Sequence, residues 1–329
     1  MRLKPLHLGM AALAGFGAYS LWWEPAMMMN VARYRVGLEE WRGRKPMRLV
    51  IISDLHAGWP HISLNRVSRI VDRANALKPD VAILLGDYSA AHPFTWGHTG
   101  KREIIQRLKA FTAPHGTYSV IGNHDWWQDA KAQLSRHGPV EAERELRVVG
   151  IPVLNNRSVR IGDEKTGFWL AGVDEQRPFD EGPDGEGMDD LEAALNEVTD
   201  DAPIVLLAHE PDLFDHLGKA SRRVSLTISG HTHGGQIRVR GSAPLIMASD
   251  NEKWSHGRYD DEDGRALIVS AGIGCSVLPM RLGVPPELTV IELCEPDPET
   301  EEEADEAEEE FEELESEGKL PTGPGGLGD

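Results

Sequence analysis

Cysteine is nearly absent from this chain of 329 residues: Cys275 and Cys294 are the only two, and no CxxC pair exists. That excludes a cysteine-rich zinc site and a thioredoxin-type redox site. Two free thiols in or near the core are expected instead. Basic excess is also lacking, since the formal net charge is −20. The acid is unevenly spread. From Glu295 to the end there are 16 Asp or Glu against one Lys, a net of −15, which leaves the body at −5. A mildly acidic body gives nucleic acid no bulk electrostatic attraction, so none is expected as a partner. No internal repeat of fixed period occurs, so the chain is not a repeat array. No twin-arginine signal is present either.

Long apolar runs are scarce. The stretch from Leu8 to Trp23 has 16 residues, short of the ~20 that cross a bilayer comfortably. Trp22 and Trp23 at its end have the character of interfacial anchors. Residues 1–24 therefore read as an uncleaved membrane anchor, single-pass or peripheral. Ala18-Tyr19-Ser20 is only a weak cleavage site. Basic residues flank both sides, Arg2 and Lys4 before and Arg33, Arg35, Arg42, Arg44, Lys45 and Arg48 after. The heavier cluster follows the stretch and favours a cytoplasmic body. Residues 25–46 read as a basic connector. Residues 295–329 are acidic, then Gly/Pro-rich, and read as a disordered tail.

Between them, residues 47–294 have the pattern of one α/β domain. Leu49–Ser53 and Val81–Leu85 are continuous apolar runs, as expected of strands buried on both faces. Between these two runs, Leu64, Val67, Ile70, Val71, Ala74 and Leu77 recur at helical spacing behind Ser63, a good N-cap. A second helix over 101–111 and a strand at Thr117–Ile121 complete a β-α-β-α-β order, which means a parallel sheet. One helix is expected over 129–146. Strands are expected near Val153, Phe168–Ala171, Pro203–Ala208, Ser225–Ser229, Ala266–Ser270 and Thr289–Leu293. Two sheets packed face to face with helices outside is the most economical architecture.

Five short polar clusters each follow one of these apolar runs. They are Asp54-Leu55-His56, Gly86-Asp87, Gly122-Asn123-His124-Asp125, His209, and Gly230-His231-Thr232-His233. In open α/β sheets ligands bind beyond the carboxyl ends of the strands, so a common placement would gather these groups. Imidazole with carboxylate and no thiolate suits Mn, Fe, Zn or Co. There are more donors than one ion can use. Two divalent ions about 3.5–4 Å apart can clamp a phosphoryl oxygen and activate water.

The five motifs, in this order, resemble the calcineurin-like metallophosphoesterase superfamily over roughly Met47 to Leu293. The resemblance is closer still to its membrane-anchored bacterial branch. That branch is matched by Ser53-Asp54-Leu55-His56, Lys78-Pro79-Asp80, the run Ser229 to Gln236, Ala271-Gly272-Ile273-Gly274, Arg281 and Pro286-Glu287. It implies a four-layer α/β/β/α sandwich and a hydrolase with two divalent ions. One ion would lie on Asp54, His56, Asp87 and His233. The other would lie on Asp87, Asn123, His209 and His231, with Asp87 bridging. His124 would stabilise the transferring phosphoryl group or protonate the leaving oxygen, and Asp125 would orient His124. Many relatives carry an acidic residue where this chain has Tyr88-Ser89-Ala90, so substrate contacts there are not carried over.

The resemblance also implies a substrate: a lipid-linked phosphodiester or pyrophosphate such as UDP-2,3-diacylglucosamine, of lipid A biosynthesis, at a bacterial inner membrane. A broad phosphodiesterase for soluble substrates and a non-catalytic metal-binding scaffold are the alternatives. His92, His98, Asn155, Asn156, Trp126, Trp127 and Arg281 are further candidates for contact with substrate, each with packing, a turn or a salt bridge as the competing explanation. His61, His115, His216 and His256 are not expected to be ligands.

Overall fold

In a computed structural model of the chain, the described residues are 5–90, 92–96, 99–163, 167–179, 185–218, 221, 223–238, 244 and 252–296. The expected disordered tail lies, beyond Pro296, outside them. Two β-sheets form the frame. The first has strands β1 (Asn30–Gly37), β2 (Met47–Ile52), β3 (Val81–Leu84), β4 (Thr117–Ser119) and β11 (Glu287–Cys294), in the order β1-β11-β2-β3-β4. The second has β5 (Arg157–Ile161), β6 (Phe168–Gly172), β7 (Ile204–Leu207), β8 (Val224–Ser229), β9 (Gly257–Asp260) and β10 (Ala266–Val269), in the order β5-β6-β7-β8-β10-β9.

Alternation along the strands explains the layering. Leu49 and Ile51 of β2 and Val81 and Ile83 of β3 pack with Leu170, Val205, Leu207, Leu226 and Ile228 of the second sheet. The intervening residues Val50, Ile52, Ala82 and Leu84 face the other way, against α2 (Leu64–Ala76), α3 (Lys101–Leu108) and α6 (Glu141–Val149). On the outer side of the second sheet, Ala171, Ile204 and Leu206 pack with Ala194 of α7 (Leu191–Asn196) and with Leu213 and Phe214 of a short 3-10 helix. β2, β3 and β4 are parallel, as are β6, β7, β8 and β10. Successive crossovers thus bring the carboxyl ends of β2, β3 and β4 to one edge and those of β7, β8 and β10 to the facing edge. Ser63 caps α2 by accepting the Arg66 N–H. Both cysteines are free and buried, as expected.

β5 and β9 are not among the expected strands, and Val153 forms an isolated bridge with Ser119 where a strand is expected; three further elements differ from the sequence reading. Residues 30–37, inside the expected connector, form β1, which pairs in parallel with β11 along its length. Trp41 follows, fully buried between the sheets and tilted against Phe168 at 5.6 Å between ring centroids. The expected helix over 129–146 is two, α5 (Ala130–Ser135) and α6. Arg136 takes a left-handed backbone and Gly138-Pro139 follows, and proline cannot continue the hydrogen-bond ladder of α5.

The third difference is the N-terminal segment. α1 (Pro5–Ala18) is followed by a π-helical stretch, Tyr19–Met27. No helix among the described residues is long and apolar enough to cross a membrane. The 14 residues of α1 reach about 21 Å at 1.5 Å each, against a hydrocarbon core of about 30 Å. The π-helical stretch also belongs to the domain: Ser20, Glu24 and Pro25 are buried. Arg281 donates its N–H to Ser20 O at 3.0 Å, Val284 donates to Glu24 Oε1 at 2.8 Å, and Arg66 donates to Pro25 O at 2.7 Å. Leu6, Met10, Leu13, Phe16, Trp22 and Trp23 remain exposed.

Trp41→Ala is expected to destabilise the domain by about 3–5 kcal/mol, the range for truncating a buried large aromatic. Urea unfolding of the full chain measures this. A loss under about 1 kcal/mol would show that residues 30–46 do not share the core's cooperativity.

Candidate metal centre

Each of the five clusters sits where a strand stops. Asp54 and His56 follow β2, Asp87 follows β3, Asn123 and His124 follow β4 as the start of α4 (Asn123–Trp127), His209 follows β7, and His231 and His233 follow β8. The chain turns sharply at each end. Asp54, His56, Asp87, His231 and His233 all have left-handed backbone, φ between 39° and 67°. That region is costly for residues with a Cβ and persists where surrounding structure enforces it. Here it turns successive side chains inward from both sheets. Gly122 and Gly230 allow the strand ends to meet. A Cβ on Gly122 would collide with Asp87 Oδ1 and His209, and one on Gly230 would collide with Ser53 and Asp54.

All seven expected ligands are buried. Three overlapping groups have donor atoms within 4.8 Å of one another: Asp54, His56 and His233; His56, Asp87 and His124; and Asp54, Asp87 and His209. Asp87 Oδ2 stands 3.3 Å from His56 Nε2 and 3.5 Å from His209 Nε2. Asp54 Oδ1 is 3.7 Å from His233 Nε2 and 3.9 Å from His209 Nε2. His56 Nε2 and His233 Nε2 face each other at 3.1 Å. Asn123 and His231 form an adjoining pair, Oδ1 to Nδ1 at 3.1 Å. Backbone donors orient the carboxylates. His231 N–H donates to Asp54 Oδ1 at 2.9 Å, Ser53 Oγ donates to Asp54 Oδ2, and His124 N–H donates to Asp87 Oδ1 at 3.0 Å.

The donor chemistry fits divalent cations. His209 Nδ1 is 2.7 Å from Leu85 O, a carbonyl that can only accept. Nδ1 must therefore carry the proton, which leaves the Nε2 lone pair aimed at two carboxylates. Nε2 has no hydrogen-bond partner. Such an arrangement is repulsive unless a cation or a second proton lies between the groups. Burial alone would discourage protonation of His209, but Asp87 and Asp54 outweigh it and hold the imidazole well above its usual range. Burial would likewise raise Asp87, yet His209 and His124 hold it well below the usual carboxylate range. His231, by contrast, is taken down to about 3, chiefly by burial and by His209. Burial raises Asp54, but His209 and Asp87 together draw positive charge into the space between them, which a proton on His209 supplies where no cation is bound.

The other expected residues are placed as follows. His124 lies at the rim, its ring edge-on to His56 and to Trp127 at 5.0 Å each, with Nε2 3.2 Å from Ser276 Oγ. Burial, opposed by Asp87, lowers it to about 4, so the imidazole is neutral near pH 7. Asp125 does not orient His124. Its carboxylate is taken up by the backbone N–H groups of Asp87, Gly122 and Tyr88 at 2.9, 3.2 and 3.3 Å. It ties the second cluster to the third, and Ser276 takes the place expected for it beside His124. Arg281 is no phosphate contact. It is fully buried, donates to the carbonyls of Ala271, Gly272, Gly274 and Val284, and lies 3.2 Å from His233 Nδ1.

Trp126 is buried and bonded to Asp174. The Asn156 side chain ties distant loops together, its Oδ1 accepting the N–H groups of Asp174 and Asp190 and its amide donating to Met188 O. His98 lies outside the described residues. His92 lines a cavity of about 700 Å³ with Ala57, Ser89, Ala90, Thr95 and Lys101, one residue from His56 and two from Asp87. The sequence reading missed Ser276, Glu175 and Glu210. Glu210 was detectable in principle, as a carboxylate directly after a strand-end histidine.

Residues 47–235 match the calcineurin-like phosphoesterase family. The chain belongs to that family. The family uses a dinuclear divalent metal centre, in agreement with the donor cluster. Among curated relatives, a Danio rerio transmembrane protein with metallophosphoesterase domain is 32% identical over 252 residues, 75% of this chain and 53% of the relative. A Bos taurus protein of the same name is 29% identical over 253 residues, again 75% and 53%. The chain thus spans about half the length of these relatives. The uncharacterized metallophosphoesterase YkuE of Bacillus subtilis is 27% identical over 286 residues, 86% of this chain and 91% of that protein. A crystal structure of a dimetal phosphatase from Danio rerio aligns with a TM-score of 0.41 at 12% identity, covering 69% of this chain and 88% of that one.

Gly122→Ala is expected to push Asp87 and His209 apart and weaken Mn²⁺ binding on the order of tenfold or more, as misplacing groups around a metal commonly does. Calorimetric titration measures the affinity, and an unchanged circular-dichroism spectrum separates this from unfolding. Wild-type affinity would show that the strand ends have room to spare.

Proposed function

We propose that the protein is a dinuclear metal-dependent phosphoesterase that hydrolyses a phosphodiester or pyrophosphate bond. The single observation that carries this reading is the His209 Nε2 lone pair, held without a partner against Asp54 and Asp87. Asp54, His56, Asp87 and His233 would hold one ion, and Asp87, Asn123, His209 and His231 would hold the other. When bound, two such ions supply Lewis acidity for a phosphoryl oxygen and lower the pKa of water. The chain's own groups do the rest. Leu85 O fixes the His209 tautomer, Ser53 and the His231 N–H orient Asp54, and the His124 N–H orients Asp87. His124, at the rim beside Ser276, is positioned to hydrogen-bond the phosphoryl group or the leaving oxygen.

His124→Ala should lower turnover of bis-p-nitrophenyl phosphate by about 10²–10⁴-fold, the usual contribution of a positioned proton-transfer or hydrogen-bonding group, with two Mn²⁺ per chain retained. Unchanged turnover would sink the catalytic assignment of His124. A wild-type chain that binds two ions yet hydrolyses no phosphodiester or pyrophosphate would favour the scaffold alternative.

The finer reading concerns substrate and location. We infer that the N-terminal segment lies in a membrane interface and brings the site to a lipid-linked substrate, for which UDP-2,3-diacylglucosamine is the concrete compound to assay. This is supported by the exposure of Leu6, Met10, Leu13 and Phe16 on α1 and of Trp22 and Trp23 beside it, an apolar surface with interfacial aromatics. Docking of residues 20–25 into the domain favours a segment that lies on the bilayer over one that spans it. A soluble-substrate phosphodiesterase remains the alternative. Removal of residues 1–18 leaves Ser20, Glu24, β1 and Trp41 in place, so it tests attachment without damaging the core. The truncated chain should no longer float with phosphatidylglycerol-containing vesicles and should keep bis-p-nitrophenyl phosphate turnover. Equal flotation of both chains would reject this attachment.

A further inference from the structure

The carboxylate of Glu210 is among the most buried in the protein, at 1% exposure, and neither of its oxygens has a hydrogen-bond partner. No mechanism described so far uses it. Like His231, it belongs to none of the donor groups that converge within 4.8 Å, and it stands behind His231 rather than beside Asp54 and Asp87. Its Oε1 stands 3.8 Å from His231 Nε2, which is also buried and unpartnered. The backbone holds Glu210 in this place: its carbonyl accepts from Gln176 Nε2 at 3.2 Å, and Pro211 follows as the first residue of a 3-10 helix. Arg177 Nε approaches Oε1 to 3.8 Å, and Glu175 lies beside it, buried, with Oε1 accepting the Arg177 N–H at 3.0 Å.

Tautomer chemistry connects these groups. A neutral imidazole has one N–H and one lone pair. His231 presents Nδ1 to Asn123 Oδ1 at 3.1 Å, on the inner side of the cluster; an amide oxygen only accepts, so without a metal ion Nδ1 carries the proton, and a metal ion bound there would displace it. If Nδ1 is the ligand atom, the proton must sit on Nε2, and a buried N–H needs an acceptor. The group facing Nε2 is Glu210. At 3.8 Å the contact is longer than a hydrogen bond, and Oε1 must approach Nε2 for one to form. Carboxylates behind metal-binding histidines act in this way, fixing ring orientation and raising ligand basicity.

We propose that Glu210 is a positioning residue: it accepts the Nε2 proton of His231 and so selects the tautomer whose Nδ1, together with Asn123, receives the second metal ion. This rests on the dinuclear reading above. Asn123 and His231 then form a subsite whose affinity is set from behind, whereas the subsite of His56 and His233 is not touched by Glu210.

The test uses the full chain, Glu210→Ala and Glu210→Gln, dialysed against graded free Mn²⁺ and analysed for bound metal. Glu210→Ala should weaken one of the two ions by about 10–100-fold and leave the other at wild-type affinity. Glu210→Gln, whose amide oxygen still accepts, should recover most of that loss. Two ions at wild-type affinity in Glu210→Ala would overturn the proposal, as would equal weakening of both. A wild-type chain that binds fewer than two ions would instead overturn the dinuclear reading on which it rests. Nitrogen-15 NMR of the Zn²⁺-loaded wild-type chain gives a measurement independent of the alanine variant's folding. His231 should be protonated at Nε2, with a proton resonance that moves in Glu210→Gln. Protonation at Nδ1 would overturn the proposal.

Discussion

The structure depends on a crowd of buried lone pairs. Asp54 and Asp87, both essentially without solvent, face the Nε2 atoms of His56, His209 and His233 across less than 4 Å. In water such groups would separate. In the interior, unpaired charge and unsatisfied polar atoms each cost several kcal/mol. The fold must therefore hold them together by other means until cations neutralise them. Part of the holding is done by backbone N–H groups: His231 donates to Asp54, His124 donates to Asp87, and Asp87, Gly122 and Tyr88 donate to Asp125. Asp125 supplies no ligand atom, yet its three backbone bonds join the loop after β3 to the loop after β4. Left-handed backbone at five of the seven donor positions is a second cost of the same arrangement.

Two sheets are what make this convergence available. One parallel sheet can present three clusters at the ends of β2, β3 and β4, but all of them approach from one side. β7 and β8 of the facing sheet bring His209, His231 and His233 from the other. The apolar layer between the sheets fixes the separation, because Leu49, Ile51, Val81 and Ile83 interlock with Val205, Leu207, Leu226 and Ile228. Gly122 and Gly230 then determine how closely the ends approach, since each faces donor side chains where a methyl group would not fit. Packing of the core and geometry of the site are the same constraint seen at two depths.

What the sequence made legible follows from where its signals are strong. Strands buried on both faces read as unbroken apolar runs, so β2, β3, β7, β8 and β10 were visible, and with them the placement of every donor except Asn123, which follows β4. β1 was masked by its edge position. Tyr34 and Val36 alternate with Arg33 and Arg35, a half-buried pattern, but the arginines gave the segment the composition of a connector. β5 and β9 have the same difficulty, with Arg157, Arg160, Arg258 and Asp260 on exposed edges. The break between α5 and α6 was written in Gly138-Pro139. Second-layer roles were the least legible. Nothing local distinguishes an Arg that binds phosphate from Arg281, which binds four carbonyls, or tells that Asp125 serves the backbone where Ser276, from a distant loop, meets His124.

Arg281 also connects the N-terminal segment to the metal cluster. Its backbone N–H is received by Ser20 O, and its guanidinium lies 3.2 Å from His233 Nδ1. Glu24 accepts the N–H of Val284 in the same loop, and His61, whose ring lies 6.3 Å from that of the exposed Trp22, has Nε2 2.8 Å from Leu21 O. Residues 20–25 are therefore a wall of the loop that carries Arg281, and α1 is continuous with that wall. Through Ser20 and Glu24 the chain that follows α1 is thus joined by buried hydrogen bonds to the loop whose Arg281 guanidinium meets His233, so the exposed apolar surface of α1, Trp22 and Trp23 begins one short step of chain from that loop.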